Sequence, residues 1–130
     1  MSTLKVDTIQ DQTSSNSSTP AEIYSGRAKA WVNFDGAFGT SPFTIANGGI
    51  RASFNVSSIT DNGTGDYTLN FTNDMPDANY CLVATCGNGN TNNRFVSQVR
   101  SVEVGALRIG TIDGANSVID PAFVFCAIFR

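Results

Sequence analysis

Two aspartates, Asp61 and Asp66, bracket the stretch DNGTGD, with Asn62 and Thr64 between them. Oxygen donors crowded into a Gly-rich turn suggest a calcium loop, which needs several of them converging on one point. Carboxylates held ~5 to 9.5 Å apart suggest glycoside hydrolysis. The stretch has no bidentate Glu at its far side, and its carboxylates do not alternate along the loop. Asn62-Gly63 and Gly65 are instead the residues that positive-φ turns demand, between flanks that alternate as hairpin strands do. DNGTGD therefore reads as a corner, and neither a metal nor a cofactor is expected.

The rest of the chain offers little else that could react. It has no histidine, which removes the usual general base and every Ser-His-Asp or Cys-His arrangement. Three cysteines cannot complete a four-thiolate zinc site. Cys81 and Cys86 are an odd number of residues apart, so on one strand they point to opposite faces, and buried structural thiols are expected. Asp35, Asp61, Asp77 and Asp113 sit beside turn residues, where Asp bonds the nearby backbone, so no catalytic carboxylate pair stands out. No Gly-rich loop leads into Lys-Ser/Thr at the head of a helix. CGNGNTNN, residues 86–93, reads as a hairpin loop. No catalytic residue is assigned and no enzyme is expected.

Composition narrows the partners. Charged residues make up only 15% of the 130 residues, and the net charge is −3. An acidic chain without a Lys/Arg cluster is a poor match for nucleic acid. Its longest apolar run, residues 122–129, is too short to span a membrane, and the first residues lack the apolar core of a signal peptide. An odd cysteine count without such a signal fits free thiols made in a reducing cytosol.

These residues need elements to carry them, and from Ala28 onward the period is two. AKAWVNF, IRASFNV and DYTLNF alternate; YCLVATC is apolar on both faces and reads as a central strand. RFVSQV follows, then SVEVGALRI, which changes face near Gly105 as a bulge would. AFVFCAIF places Phe123, Phe125 and Phe129 on one face, with ordinary core as the favoured reading, and Val124, Cys126 and Ile128 on the other. No segment holds a helical period over three turns. The expectation is an all-β fold: an antiparallel β-sandwich, jelly-roll-like or a flattened barrel, of about seven to eight short strands over residues 27–130. Residues 1–26 read as an extended N-terminal arm, polar and low in complexity apart from TLKVDTI. Between Phe34 and Ile50 lies a loop bearing Phe38, Phe43 and Ile45, which either plugs one end of the sandwich or presents a contact surface.

The stretch AKAWVNF…IRASFNVSSITDNGTGDYTLNFTNDMPDANYCLVAT, residues 28–85, resembles a segment of many tailed-bacteriophage virion proteins commonly labelled tail-fibre proteins. The opening MSTLKVDTIQD is similar to the start of many phage fibre and surface proteins, especially those of cyanophages and other marine phages. The resemblance implies a virion structural protein on the outside of the particle, typically a homotrimer, with no catalytic residues to carry over. Two readings follow. In the first, the chain is a capsid decoration (cement) protein whose arm, through Leu4, Val6 and Ile9, anchors a knob to the major capsid protein by adding a strand. In the second, it is a short tail fibre or receptor-binding tip whose loop meets the host surface through Phe38, Phe43 and Ile45.

Overall fold

A computed structural model describes residues 2–10, 12–13, 17–89 and 95–130. Two four-stranded antiparallel sheets face each other across one hydrophobic core. The first holds β3 (Ala30–Phe34), β4 (Ile50–Phe54), β7 (Cys81–Gly87) and β10 (Phe123–Phe129), in the order β4-β3-β10-β7. The second holds β5 (Val56–Gly63), β6 (Asp66–Phe71), β8 (Phe95–Val102) and β9 (Ala106–Asp113), in the order β5-β6-β9-β8. Alternate residues of each strand turn inward. Ala30, Val32 and Phe34 of β3 meet Tyr67, Leu69 and Phe71 of β6 in the same buried cluster, with Leu107, Ile109, Val124 and Ile128. The expected all-β sandwich is the observed architecture.

Several boundaries differ from the expectation. IRASFNV is two strands, not one: Asn55 takes φ 55°, and the chain leaves the first sheet there and enters the second. Asn tolerates this left-handed conformation because its side chain can bond locally. Asn55 Nδ2 donates to the Lys29 and Asn73 carbonyls at 3.2 and 3.0 Å, and its Oδ1 accepts from the Asn73 backbone N–H at 2.8 Å. Asn55→Ala should cost roughly 2–3 kcal/mol, from lost hydrogen bonds plus left-handed strain. Asn55→Gly loses the same hydrogen bonds without the strain, and should be about 1 kcal/mol milder in urea unfolding. Equal losses in the two variants would show that the kink carries no strain.

YCLVATC, expected in the middle of a sheet, is the edge strand β7. Residues 86–93 do not close a hairpin, since β7 and β8 belong to different sheets; residues 90–93 lie outside the described residues. SVEVGALRI is divided between β8 and β9 by a turn closed by Glu103 N–H on the Ala106 carbonyl at 2.9 Å. The register shift falls between Val99 and Ser101, not at Gly105.

The N-terminal segment is not wholly extended. Ile9 and Gln10 (β1) pair with Ser17 and Ser18 (β2), and a short helix, α1 (Pro20–Gly26), follows. Thr19 and Glu22 form its capping box: Glu22 N–H donates to Thr19 Oγ1 at 3.2 Å, and Thr19 N–H to Glu22 Oε2 at 2.7 Å. Pro20 suits the first turn, where no N–H partner is needed. No residue of the helix is buried.

Candidate functional site

Residues 35–49 close one end of the sandwich. Phe43 is fully buried; its N–H and carbonyl pair with Ile59 at 2.8 and 3.0 Å, and its ring lies against Phe34, Phe38 and Tyr67. As a contact residue Phe43 is therefore a correction: its side chain is core, because a ring this large is worth more buried than hydrated. Phe38 is half-buried, edge-on to Phe43 at 5.5 Å, and of the three only Ile45 is exposed, at 60%. Of the arm residues, Leu4 is 86% exposed, and Val6 and Ile9 are exposed as well.

The DNGTGD turn is a hairpin corner between β5 and β6, with Gly63 at φ 122° and Gly65 at φ 64°. Asp61 Oδ1 accepts from the Gly63 N–H at 2.8 Å. Asp66 is buried and accepts two hydrogen bonds from Arg108, both at 2.8 Å, and one from Arg100 at 2.9 Å. Hydrogen bonds from Arg108, opposed by burial and helped by the Arg100 charge, hold its carboxyl below the usual range. Gly110, opposite Asp66 on β9, makes this cluster geometrically feasible: a Cβ there would lie 2.4 Å from Arg100 Nε. Beneath the corner, the Tyr67 hydroxyl donates to Asp120 Oδ1 at 2.7 Å, with the Gly36 carbonyl at 2.9 Å. Burial, then the Asp120 carboxylate, pushes the phenol far above its ordinary value. Asp66 is thus committed to its arginines, Asp120 to a buried phenol, and Asp61 to the turn backbone.

The two outer faces of the sandwich differ sharply in chemistry. That of the β5-β6-β9-β8 sheet is a polar lattice. Asn70 Nδ2 donates to Ser58 Oγ and Thr60 Oγ1, Asn62 Nδ2 to Thr68 Oγ1, and Asp66 holds its two arginines. The outer face of the β4-β3-β10-β7 sheet is apolar. Strand register aligns Phe54, Trp31, Ala127 and Val83 in one row across it, and Ala52, Asn33, Phe125 and Thr85 in the next. Phe129 pairs with Cys81 at the end nearest the chain terminus. Trp31, Phe54, Val83 and Phe125 are all exposed. Core is therefore the wrong reading for the outward Phe stripe of β10; Val124, Cys126 and Ile128 are its buried side. The two-sided apolar character of β7 has the same cause: its second face is surface, not another buried layer.

Two depressions mark this region. A shallow groove of about 310 Å³ lies on the sheet face among Trp31, Val83 and Phe125. A cleft of about 660 Å³ opens beside it, lined by Tyr24, Lys29, Trp31, Phe54, Asn73 and Asp74. Lys29 Nζ stands over the Tyr24 ring, 3.3 Å from its centroid, and donates to the Tyr24 carbonyl, tying α1 to the start of β3. The thiols are not uniformly buried: Cys81 is exposed, Cys86 half-buried and Cys126 buried, where burial pushes its pKa up to about 12. Cys81 faces outward and Cys86 inward, as their spacing requires. Among the described residues, no group of Cys, Asp and Glu is arranged to hold a metal ion.

The sequence reading misses the apolar face as a surface, although its signal is in the alternation. Trp31 stands out of phase with Val32 and Phe34, and Phe125 out of phase with Val124 and Cys126. Large aromatics on the phase opposite to the core mark an outer face that water does not favour.

This antiparallel sandwich recurs in a solved structure. Over 94% of its length the chain superposes on part of the phiAB6 phage tailspike, with a TM-score of 0.51 at 15% sequence identity. That tailspike was solved in complex with three-repeated oligosaccharides of Acinetobacter baumannii surface polysaccharide. The chain spans 22% of the tailspike, and at this identity the likeness is one of fold. No protein-family model and no curated protein sequence matches the chain.

Proposed function

We propose that this chain is a non-enzymatic structural protein of a phage particle, a trimeric capsid decoration (cement) protein whose N-terminal segment, residues 1–26, anchors a β-sandwich knob to the major capsid protein. The observation that carries this reading is the exposure of Leu4, Val6 and Ile9, apolar side chains on a segment whose described residues add nothing to the core of the sandwich. Exposed apolar side chains on a polar arm outside the core are suited to burial against another protein, where the arm's backbone can extend a sheet edge. The likeness to part of a tailspike supports a virion setting, as do the free thiols of a protein made in the bacterial cytoplasm and carried on the particle surface.

Removing residues 2–12 should abolish binding to particles while the far-ultraviolet circular dichroism of the sandwich persists. A truncated chain that still decorates particles would remove the anchoring role. The same fold likeness favours a second reading, a short tail fibre or receptor-binding tip that recognises the host surface, with Ile45 and the edge of Phe38 on the exposed loop. Copy number separates the two. A count in purified particles comparable to that of the major capsid protein supports decoration, and a small fraction of it supports the tail.

A further inference from the structure

We propose that the apolar outer face of the β4-β3-β10-β7 sheet is the surface through which copies of this chain pack on one another. The inference deepens the oligomeric part of the reading above, on which it rests, by assigning the contact face. Its physical basis is the contrast between the two outer faces. One is tiled with Ser, Thr, Asn and an Asp–Arg cluster whose groups satisfy each other or meet water. On the other, the two aligned rows and the Phe129–Cys81 pair contain no Asp, Glu, Lys or Arg. Arg51 at the rim is already engaged: it sits 3.2 Å from Asp35 and lies over the Phe123 ring.

Charge argues for a second copy as the occupant. A partner chosen by electrostatic complementarity needs free charges to read, and those bordering these rows are already engaged, Arg51 by Asp35 and Asn33, and Lys29 by the Tyr24 ring and carbonyl. For identical chains of net charge −3, meeting through these uncharged rows keeps like charges from being opposed at close range. Size requires more than the flat sheet face alone. Four strands at ~4.8 Å spacing and about seven residues at ~3.3 Å each make a face of roughly 400 Å² in projection, before side-chain relief is counted. A specific interface takes about 800 Å² from each partner. The adjoining cleft, walled by Tyr24, Phe54 and Met75 and bordered by Arg27, Lys29 and Asp74, extends the patch toward that area as a polar rim around an apolar centre.

The protein carries its own reporters here. Its single tryptophan, Trp31, stands in the middle of the apolar row, and the exposed thiol of Cys81 lies on the same face. The experiment uses the full chain, purified without particles, and reads mass by sedimentation equilibrium, Trp31 emission on serial dilution, and the rate of Cys81 alkylation. The expected result is an oligomer whose Trp31 emission shifts to the red as it dissociates, with Cys81 protected at high concentration. Val83→Lys places an ammonium at a site that is 63% exposed in the single chain, so it leaves the fold intact. It should weaken self-association by roughly a hundredfold, because an unpaired charge buried in the contact is strongly unfavourable. Phe125→Lys is the second variant should the first fail to fold.

A wild-type chain that stays monomeric at high concentration overturns the proposal. So does an oligomer in which Cys81 reacts freely, or whose mass either folded lysine variant leaves unchanged. A monomer in which soluble bacterial polysaccharide quenches Trp31 and shields Cys81 would reassign the face to a saccharide. Particle binding plays no part in these readings. Failure of the arm as an anchor and failure of this face as a contact are therefore separate results.

Discussion

Phe43→Ala lowers the stability of the sandwich by about 3–5 kcal/mol, the range for deleting a fully buried ring, while Ile45→Ala, two residues on, changes it by less than about 0.5 kcal/mol. The two side chains share one loop and differ only in where the chain places them. Phe43 is 0% exposed, clamped by a two-way backbone bridge to Ile59, and bears on Phe34, Phe38 and Tyr67. Removing its ring leaves a cavity at the end of the core, and the loop has little freedom to collapse into it. Asp35 N–H holds the Gly49 carbonyl at 3.0 Å, and Asn47 Oδ1 accepts from the Thr44 and Gly49 N–H groups. Phe38→Ala falls between the two, since its ring is half-buried and covers Phe43. Urea unfolding at neutral pH measures all three variants. A Phe43 variant as stable as the Ile45 variant would show that the loop is a lid resting on a finished core, and would return Phe43 to the contact surface.

The loop shows what composition conceals. Aromatics among turn residues fit a plug or a contact equally well until depth is known, and one loop proves to hold both kinds of residue. Elsewhere the period of two was enough. Val32 and Phe34 of β3 and Tyr67, Leu69 and Phe71 of β6 lie inward as their alternation requires. Where both phases are apolar, alternation decides nothing. In β10 the larger side chains face out and the smaller Val124, Cys126 and Ile128 face the core, because the facing sheet already fills that space with Tyr67, Leu69 and Ile109. The kink at Asn55 is hidden in the sequence because the hydrophobic phase continues through it from Ile50 to Val56, while the chain changes sheets. The helix after Thr19 was legible: Thr19-Pro20-Ala21-Glu22 is a capping box with Pro at the first helical position. A seven-residue helix is too short to display an amphipathic period, so a search for periodicity passes over it. The apolar outer face was visible residue by residue, but it became a surface only when strand register aligned Phe54, Trp31, Ala127 and Val83.

Loss of the Asp66 cluster should approach that of a core side chain, and its signature is a dependence on pH. Asp66 is 8% exposed and accepts from two guanidinium groups that would otherwise stand together as like charges. Asp66→Asn should cost about 2–3 kcal/mol. Breaking a fully buried pair costs about 3–5 kcal/mol, but the side chains of Arg100 and Arg108 are 34% and 45% exposed and stay partly hydrated. The wild-type carboxyl is held low chiefly by the Arg108 hydrogen bonds, so its folded pKa lies below its unfolded one. A group shifted in that sense contributes its full stabilisation above the unfolded value of about 3.9, and loses it as pH falls through the folded value. The gap between wild type and Asp66→Asn should therefore be constant from neutral pH down to about 5, then close progressively on further acidification. The exposed Asp77–Arg130 pair, whose carboxyl is also held low by its arginine, titrates in both proteins and cancels in the difference. Urea midpoints taken across this range are the measurement. A gap that stays constant into acid would mean that its size does not depend on ionisation, and that charge adds nothing at this corner. A gap that closes assigns the difference to the ionised carboxylate, and makes DNGTGD a corner held by the ion pairs of Asp66 with Arg100 and Arg108.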